Sequence, residues 1–342
     1  MMKAAMLTAP GRIEIREVPD KPLRADTDVR IRIDFGGICG SDLHYFRTGR
    51  IGEQVVAGPL VVGHECTGTV LETGKAVTAV RPGERVAVEP AVSCGRCDQC
   101  RTGRPNTCRR VQFMGCPGQL DGALVENIVM PETNCLPLPP ELSSGTAVFS
   151  EPVSIALYAW RFLKGLDIRT VGILGAGPIG LAVLMAARER AGVRALVTDP
   201  LDARLSAAKA LGADWTAGPQ ETDVPDAPEE FDAVFECCGR EEAIARAARL
   251  LKPGGHLVIV GIPETEFFRI DLHGLRRDEI TLYNVRRQNG CLEEAIGLCT
   301  RRRKEIDGLI THSFPLDAAQ QAFDLAEGYR DGVIKSVIRM QG

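Results

Sequence analysis

The segment TVGILGAGPIG, residues 170–180, joins an apolar run to a glycine-rich turn. TVGIL is typical of a buried strand, and the apolar residues after Gly180 predict a helix through about residue 191. Gly175 would permit the tight turn, Gly177 would let a pyrophosphate approach, and Gly180 would allow close helix–strand packing. The free N–H groups at the start of the helix suit an anion. The segment therefore predicts a dinucleotide-binding βαβ unit.

The pattern downstream extends this unit. Further strands are predicted at 195–198, 232–236 and 256–261, with one helix at 202–211 and another that follows residue 236 and runs to Leu251. Regular alternation of strand and helix predicts a doubly wound parallel sheet with right-handed crossovers. Before about residue 151, short β-rich segments such as DVRIRIDF (28–35) alternate with Gly and Pro turns instead. The fold-class prediction is therefore α/β, with a β-rich domain beside a doubly wound one.

Length and charge restrict the class of protein. The chain has 342 residues, enough for about two domains. Its formal net charge of −4 gives no basic field for nucleic acid or an anionic membrane. The N-terminal sequence reaches Pro10 and Gly11 too early for the apolar core of a signal peptide, and no run approaches the ~18 apolar residues of a membrane span. We therefore expect a soluble, cytoplasmic protein that binds neither nucleic acid nor membrane.

An acidic residue follows the second predicted strand. Asp199 lies where a carboxylate would bind the two ribose hydroxyls of a dinucleotide and repel a 2′-phosphate. This position favours NAD over NADP. Arg204 leaves NADP open, because a nearby arginine can accommodate the phosphate. The plainer alternative is a structural glycine turn followed by a helix-capping aspartate.

Four of the twelve cysteines lie in one short loop, CGRCDQCRTGRPNTC. Their spacing, C-x2-C-x2-C-x7-C, suits four thiolates around one zinc ion, which leaves no open position for chemistry. A disulfide framework is not needed in a chain of this length without an export signal. Redox-active thiols are the remaining alternative. The loop therefore predicts a structural zinc site at Cys94, Cys97, Cys100 and Cys108.

Three further segments carry residues that suit a second, open metal site. They are GICGSDLH (37–44), GHE (63–65) and SEP (150–152). Each residue alone has an ordinary explanation, such as a buried cysteine or a hydrogen-bonded histidine. Together with a dinucleotide site, they indicate a zinc ion with about three protein ligands and one position for water or substrate.

On these motifs and their order, the chain resembles the zinc-dependent medium-chain dehydrogenase/reductase superfamily over its whole length. HYFRTGRIG (44–52), Glu151, VTDPLDARL (197–205) and THSFPLDAAQQAF (311–323) are similar to its sorbitol (polyol) dehydrogenases. VRRQNG (285–290) and QFMGCPGQLDG (112–122) depart from the polyol pattern.

The resemblance implies a domain organisation. A GroES-like catalytic domain would comprise 1–151 and 287–342, including the zinc loop at 94–108. A Rossmann NAD-binding domain would comprise 152–286. The active site would lie where nicotinamide meets zinc, and a tetramer or dimer is expected.

The resemblance also implies residue roles. Cys39 and His64 would bind the catalytic zinc, with Glu65 or Glu151 as the third ligand. Ser41 and His44 would relay the proton, and Asp42 would orient His64. The expected NAD contacts are Gly175, Gly177, Pro178, Ile179, Gly180, Asp199, Arg204, Val260, Gly261, Ile262 and Arg286. The expected substrate contacts are Tyr45, Phe113, Arg286 and Arg287.

The implied activity is NAD-dependent, reversible oxidation of a secondary hydroxyl of a polyol, such as sorbitol or xylitol, to the ketose. The same chemistry on a sugar acid, an amino alcohol or an aminocyclitol is an alternative. A non-catalytic zinc- and NAD-binding module is another. That module would require loss of a catalytic ligand, yet Cys39, His64 and Glu151 are all present.

Overall fold

The computed structural model describes residues 1–221 and 224–340, which divide into two units. The first comprises Met1–Glu151 and residues 292–340, and the second is Pro152–Cys291. The second boundary thus lies at Leu292, whereas the sequence analysis placed it at 287. Residues 341 and 342, included in that expected domain, and residues 222 and 223 lie outside the described part.

The strands are β1 Met2–Ala9, β2 Arg12–Val18, β3 Asp28–Gly37, β4 Arg50–Ile51, β5 Gln54–Val55, β6 Leu60–Val61, β7 Glu65–Thr73, β8 Arg85–Val88, β9 Ala91–Val92, β10 Gln112–Phe113, β11 Asn127–Pro131, β12 Cys135–Pro137, β13 Thr170–Leu174, β14 Arg194–Thr198, β15 Trp215–Ala217, β16 Phe231–Glu236, β17 Leu251–Ile259, β18 Thr281–Asn284, β19 Ile310–Pro315 and β20 Lys335–Arg339. The helices are α1 Gly40–Thr48, α2 Asp98–Arg101, α3 Ser144–Ala147, α4 Ser150–Arg161, α5 Pro178–Arg188, α6 Asp202–Ala210, α7 Glu241–Arg249, α8 Leu272–Arg277, α9 Leu292–Arg301, α10 Arg303–Leu309 and α11 Ala319–Glu327. No helix in the described ranges combines the length and apolar character needed to cross a bilayer.

The second unit is built on a six-stranded parallel sheet in the order β15-β14-β13-β16-β17-β18. All five residues of β13 are buried, because a parallel sheet is covered by helices on both faces. The chain runs outward from β13 in one direction and then from β16 in the other. This reversal places a topological switch point between their carboxyl ends. The predicted α/β fold class, with its doubly wound sheet, is confirmed.

The bounds of one predicted strand differ from the structure by more than one residue. The strand expected at 256–261 is β17, which begins at Leu251 and ends at Ile259. Its register with β16 moves from the pair Phe231–Leu251 to the pair Ala233–His256. The segment KPGG between these pairs is therefore an irregular part of the strand, although proline and glycine are depleted in strand interiors.

The first unit is dominated by a seven-stranded sheet with the order β12-β8-β7-β3-β20-β19, in which β11 also pairs with β3. Strand β20 lies antiparallel to β3, and Val337 is opposite Gly37. The C-terminal strand therefore runs beside the end of β3, directly before Cys39. A smaller sheet of β2, β1 and β6 packs into the same apolar core.

Candidate functional site

The end of β3 leads directly into α1, and Cys39 is the N-cap residue of that helix. Asp42 accepts the Cys39 N–H at 2.9 Å through one carboxylate oxygen. Its other oxygen accepts the Gly63 N–H at 3.2 Å and lies 3.6 Å from His64 Nδ1. Because Asp42 is only 1% exposed, these contacts hold the start of α1 against the loop that carries His64.

Cys39, His64 and Glu65 form a group whose potential ligand atoms all lie within 4.8 Å of one another. A thiolate, an imidazole and a carboxylate are all donors that zinc accepts, and three of them leave a coordination position open. Burial opposes the charged form of His64, but the adjacent Asp42 and Cys39 outweigh it and hold the pKa of His64 well above its ordinary value. The donor set therefore fits an open zinc site.

Lys335 was not identified from the sequence. Its ammonium group pairs with the Glu65 carboxylate and donates to the Ile38 carbonyl at 3.0 Å. A Cβ at Gly37 would meet both Glu65 and Lys335, so this pair occupies the space that a side chain there would need. Strand β20 thus brings a cation to the metal-ligand group. No local pattern around Lys335 could have indicated this contact.

Glu151 lies in the first turn of α4 and is 8% exposed. Burial raises the pKa of Glu151 to about 8, and the positive charge of His64 opposes that rise. Glu65 raises it further. Glu151 is therefore close enough to interact electrostatically with both residues. Within the described chain, however, it does not belong to the group of Cys39, His64 and Glu65 whose potential ligand atoms lie within 4.8 Å of one another.

The four clustered cysteines also come together. Cys94, Cys97, Cys100 and Cys108 place their sulfur atoms within 4.8 Å of one another. Cys97 Sγ lies 3.5 Å from Cys100 Sγ and 3.8 Å from Cys108 Sγ. Tetrahedral zinc with Zn–S bonds of about 2.3 Å requires sulfur–sulfur distances of about 3.8 Å.

Local contacts favour the thiolate form of Cys94 and Cys97, whereas burial raises the pKa of Cys100 to about 11. The backbone N–H of Arg96 lowers the pKa of Cys94 to about 6. Cys108 Sγ accepts the N–H groups of Cys94 and Arg110, each at 3.3 Å. The loop thus fits a closed zinc site.

The glycine turn adopts the geometry that a dinucleotide site needs. Gly175 has φ +100°, which strongly favours glycine. A Cβ at Gly180 would lie 1.8 Å from the Gly175 carbonyl oxygen, so only glycine permits this approach of helix to turn. Gly177 is the N-cap of α5, which Pro178 and Ile179 then begin.

Asp199 lies at the carboxyl end of β14 beside this turn. Its carboxylate accepts the Ala176 N–H at 2.8 Å and the Leu201 N–H at 3.0 Å. Arg204 Nη1 lies 3.8 Å from the same carboxylate. The acid is therefore fixed at the turn with a cation beside it.

The remaining predicted residues are distributed as follows. Ser41 and His44 are half-buried on α1, and Tyr45 is buried on the same helix. The Phe113 ring lies 5.2 Å from the His64 ring, measured between centroids. Residues after β17 and β18, at the carboxyl edge of the parallel sheet, are Val260, Gly261, Ile262, Arg286 and Arg287. Arg286 is exposed, and Arg287 is half-buried with φ +54°.

Comparison with known proteins agrees with this architecture. Residues 25–140 match the alcohol dehydrogenase GroES-like domain family, and residues 178–301 match the zinc-binding dehydrogenase family. A sorbitol dehydrogenase of Bacillus subtilis (strain 168) is 33% identical over 98% of this chain and 97% of its own. An L-idonate 5-dehydrogenase of Vitis vinifera is 33% identical over 87% of this chain and 84% of its own.

Two solved structures share the fold across 99% of both chains. A zinc-binding dehydrogenase of Sinorhizobium meliloti 1021, bound to NADP, has a TM-score of 0.88 and 30% identity. An alcohol dehydrogenase of Escherichia coli CFT073, in complex with NADH, has a TM-score of 0.87 and 28% identity. With two zinc-compatible groups, a dinucleotide-type turn and these matches along its length, the chain belongs to the zinc-dependent medium-chain dehydrogenase family, which includes the sorbitol dehydrogenases.

Proposed function

We propose that this oxidoreductase uses NAD and zinc to oxidise a secondary hydroxyl of a polyol to the ketose, reversibly. The observation that carries the proposal is the convergence of Cys39, His64 and Glu65, with ligand atoms within 4.8 Å, in a chain that also has the fixed glycine turn and Asp199. The relative from Bacillus subtilis, a sorbitol dehydrogenase matching 98% of the chain, supports the substrate class.

In this proposal, Cys39, His64 and Glu65 hold the catalytic zinc. Zinc bound there would supply Lewis-acid chemistry, polarising a hydroxyl oxygen and lowering its pKa. Asp42 contacts His64 Nδ1 and thereby fixes the orientation of the imidazole ring. Glu65 is preferred to Glu151 as the third ligand, because its carboxylate is within 4.8 Å of the other two donors.

Ser41, His44 and Glu151 are assigned to proton handling. Ser41 and His44 are three residues apart on α1 and therefore lie on one side of the helix. Both are half-buried, so each is partly accessible to solvent. Glu151, with its pKa raised to about 8 by burial, can hold or release a proton near neutral pH.

The nucleotide is assigned to the carboxyl edge of the parallel sheet. The N–H groups at the start of α5 would bind the pyrophosphate, because the N-terminus of a helix attracts anions. Asp199 would accept the ribose hydroxyls and disfavour a 2′-phosphate, which supports NAD. Arg204, at 3.8 Å from Asp199, works against this preference, and one structural relative binds NADP.

The four-cysteine loop is assigned a structural zinc. Four sulfur ligands saturate the ion, and the loop has few large apolar side chains with which to hold itself by burial.

A sugar acid is the second candidate substrate. The Vitis vinifera relative is an L-idonate 5-dehydrogenase, and Arg286 and Arg287 carry guanidinium groups of the kind that bind carboxylates. The activity test compares sorbitol, xylitol, an aldonate and ethanol, with NAD and with NADP, by the absorbance of the reduced nicotinamide. The highest kcat/KM should belong to a polyol with NAD. Ethanol as the best substrate would refute the polyol assignment, and an aldonate as the best would favour the second candidate.

A further inference from the structure

A row of uncharged polar side chains continues from α1 into two neighbouring segments. The Tyr45 hydroxyl donates to Gln54 Oε1 at 3.1 Å and lies 3.7 Å from Cys116 Sγ. Gln119 Nε2 donates to the same sulfur at 3.1 Å. We call Tyr45, Gln54, Cys116 and Gln119 the polar row. It joins α1, the β4–β5 hairpin and the turn after β10.

The polar row adjoins the metal-ligand group on two sides. Tyr45 follows Asp42 by one helical turn, so the two residues share a face of α1 with a rise of about 4.5 Å between them. Asp42 in turn faces His64. At the other end of the row, Gln119 Oε1 accepts the Phe113 N–H at 2.7 Å. The Phe113 ring packs against His64.

Gln54 differs from the other glutamine of the row. Both ends of the Gln119 amide are engaged, by Phe113 and Cys116. For Gln54, only Oε1 has a partner, and its Nε2 makes no hydrogen bond to any residue in the described part of the chain. Because Tyr45 fixes the amide orientation, the two N–H donors of Gln54 have a defined direction. Gln54 itself is half-buried on the hairpin.

From this arrangement we propose that Gln54, oriented by Tyr45, determines specificity by donating a hydrogen bond to a substrate hydroxyl remote from the reacting carbon. This inference rests on the proposed function and identifies the residue that selects polyols over simple alcohols. A neutral amide donor matches a hydroxyl group. It offers no countercharge to a carboxylate, so the polar row also disfavours a sugar acid in that position.

The expected effect follows from the cost of an unmade hydrogen bond. A site that donates to a substrate hydroxyl loses binding when either partner is absent, because the remaining polar group is left desolvated and unpaired. Loss of one neutral hydrogen bond should lower the ratio of kcat/KM for xylitol to that for propan-2-ol by roughly 5- to 10-fold. Propan-2-ol is the reference because it offers only the reacting hydroxyl.

The test uses Gln54→Met, which keeps the length of the side chain and removes the amide. Gln112→Met is the matched control, because Gln112 is an exposed glutamine on β10 outside the polar row. The xylitol-to-propan-2-ol ratio should fall for Gln54→Met and stay at the parent value for Gln112→Met. An unchanged ratio in Gln54→Met, or equal losses on both substrates, would overturn the proposal.

A second variant keeps the test decisive if Gln54→Met does not fold. Tyr45→Phe removes only the hydroxyl that orients Gln54, and it should lower the same ratio by roughly threefold. No change in that ratio would also overturn the inference. The activity of the parent distinguishes failure of the proposed function from failure of the role of Gln54. If the parent oxidises xylitol and the variants keep the parent's xylitol-to-propan-2-ol ratio, only the role of Gln54 is refuted. A parent without activity on any polyol would refute the proposed function.

Discussion

Replacing Lys335 with methionine removes the ammonium group that faces the candidate zinc ligand Glu65. The Lys335 and Glu65 side chains are 1% and 2% exposed, so neither charge is hydrated once the other is lost. Breaking a buried ion pair by removing one partner costs about 3–5 kcal/mol of folding free energy. The Ile38 carbonyl also loses a donor at 3.0 Å, for about 1 kcal/mol more. Metal-free Lys335→Met protein should therefore be about 4–6 kcal/mol less stable than the metal-free parent.

Zinc should reduce this difference. A divalent cation bound to Glu65 compensates the carboxylate in place of the ammonium group, so the loss in zinc-loaded protein should fall to about 1 kcal/mol, the value of the lost hydrogen bond to Ile38. The measurement is urea unfolding of parent and variant, each in excess zinc and in excess chelator. Removal of the structural zinc by chelator affects parent and variant alike, and distant effects of this kind cancel in the difference.

Two control variants test whether the loss of stability depends on the positive charge and on the burial of the ion pair. Lys335→Arg keeps the charge and should lose less stability than Lys335→Met. Lys252→Met breaks a pair with Asp232 whose side chains are 44% and 19% exposed, so it should cost about 0–1 kcal/mol with or without zinc. An equal loss for Lys335→Met in zinc and in chelator would show that the metal does not compensate Glu65. That result would refute the assignment of Glu65 as a zinc ligand.

Four further predictions concern the other assignments. Cys39→Ser should abolish turnover while NADH binding, measured by fluorescence titration, persists; near-normal kcat would remove Cys39 from the ligand set. Cys97→Ser should lower the melting temperature and the zinc content, because a structural metal contributes directly to folding free energy; parent-like melting with lost activity would make the loop catalytic. The parent should prefer NAD over NADP by at least about tenfold in kcat/KM, or about 1.4 kcal/mol, and Asp199→Ala should shrink that preference; equal use of both cofactors by the parent would refute the role of Asp199. Burial raises the pKa of Asp232, but hydrogen bonds from Lys252 and two backbone N–H groups outweigh the effect of burial and lower this pKa to about 2. The stabilisation by this carboxylate is therefore complete above its ordinary pKa of 3.8 and is lost as the pH falls through about 2. Asp232→Asn should cost about 1–3 kcal/mol at neutral pH, and the unfolding curves of parent and variant should converge in acid.

The parallel sheet was predictable because its information is local. Strand β13 has the bounds predicted for it, and β14, β16 and α6 differ from prediction by one residue at an end. Each of these strands combines an apolar run with a nearby glycine or polar boundary. Strand β17 was predicted poorly because its first pair with β16 forms across the KPGG segment, and composition alone assigns that segment to a loop. Tertiary pairing overrides local preference there.

In the candidate metal site, two of the proposed ligands could be predicted from the sequence, whereas the choice of the third ligand and the surrounding residues could not. Cys39 and His64 were found because each stands in a short motif with other polar residues. Which glutamate joins them depends on β3 and β7 being neighbours, since Gly37 is opposite Glu65 in that pairing. Sequence reasoning therefore left Glu65 and Glu151 as alternatives.

Lys335 shows why the remaining residues of the site could not be read from the sequence. The sequence KSVIR shows no clearer alternation of polar and apolar residues than many other strands do. A lysine at a strand end is ordinarily solvated. Its burial follows from β20 pairing with the end of β3, a contact between the two ends of the chain. A buried ammonium is tolerated only with a countercharge, and Glu65 supplies one. If Glu65 also binds zinc, the carboxylate lies between two cations, and the balance between them sets how firmly it holds the metal. The stability lost by Lys335→Met relative to the parent, compared between zinc-loaded and metal-free protein, measures that balance.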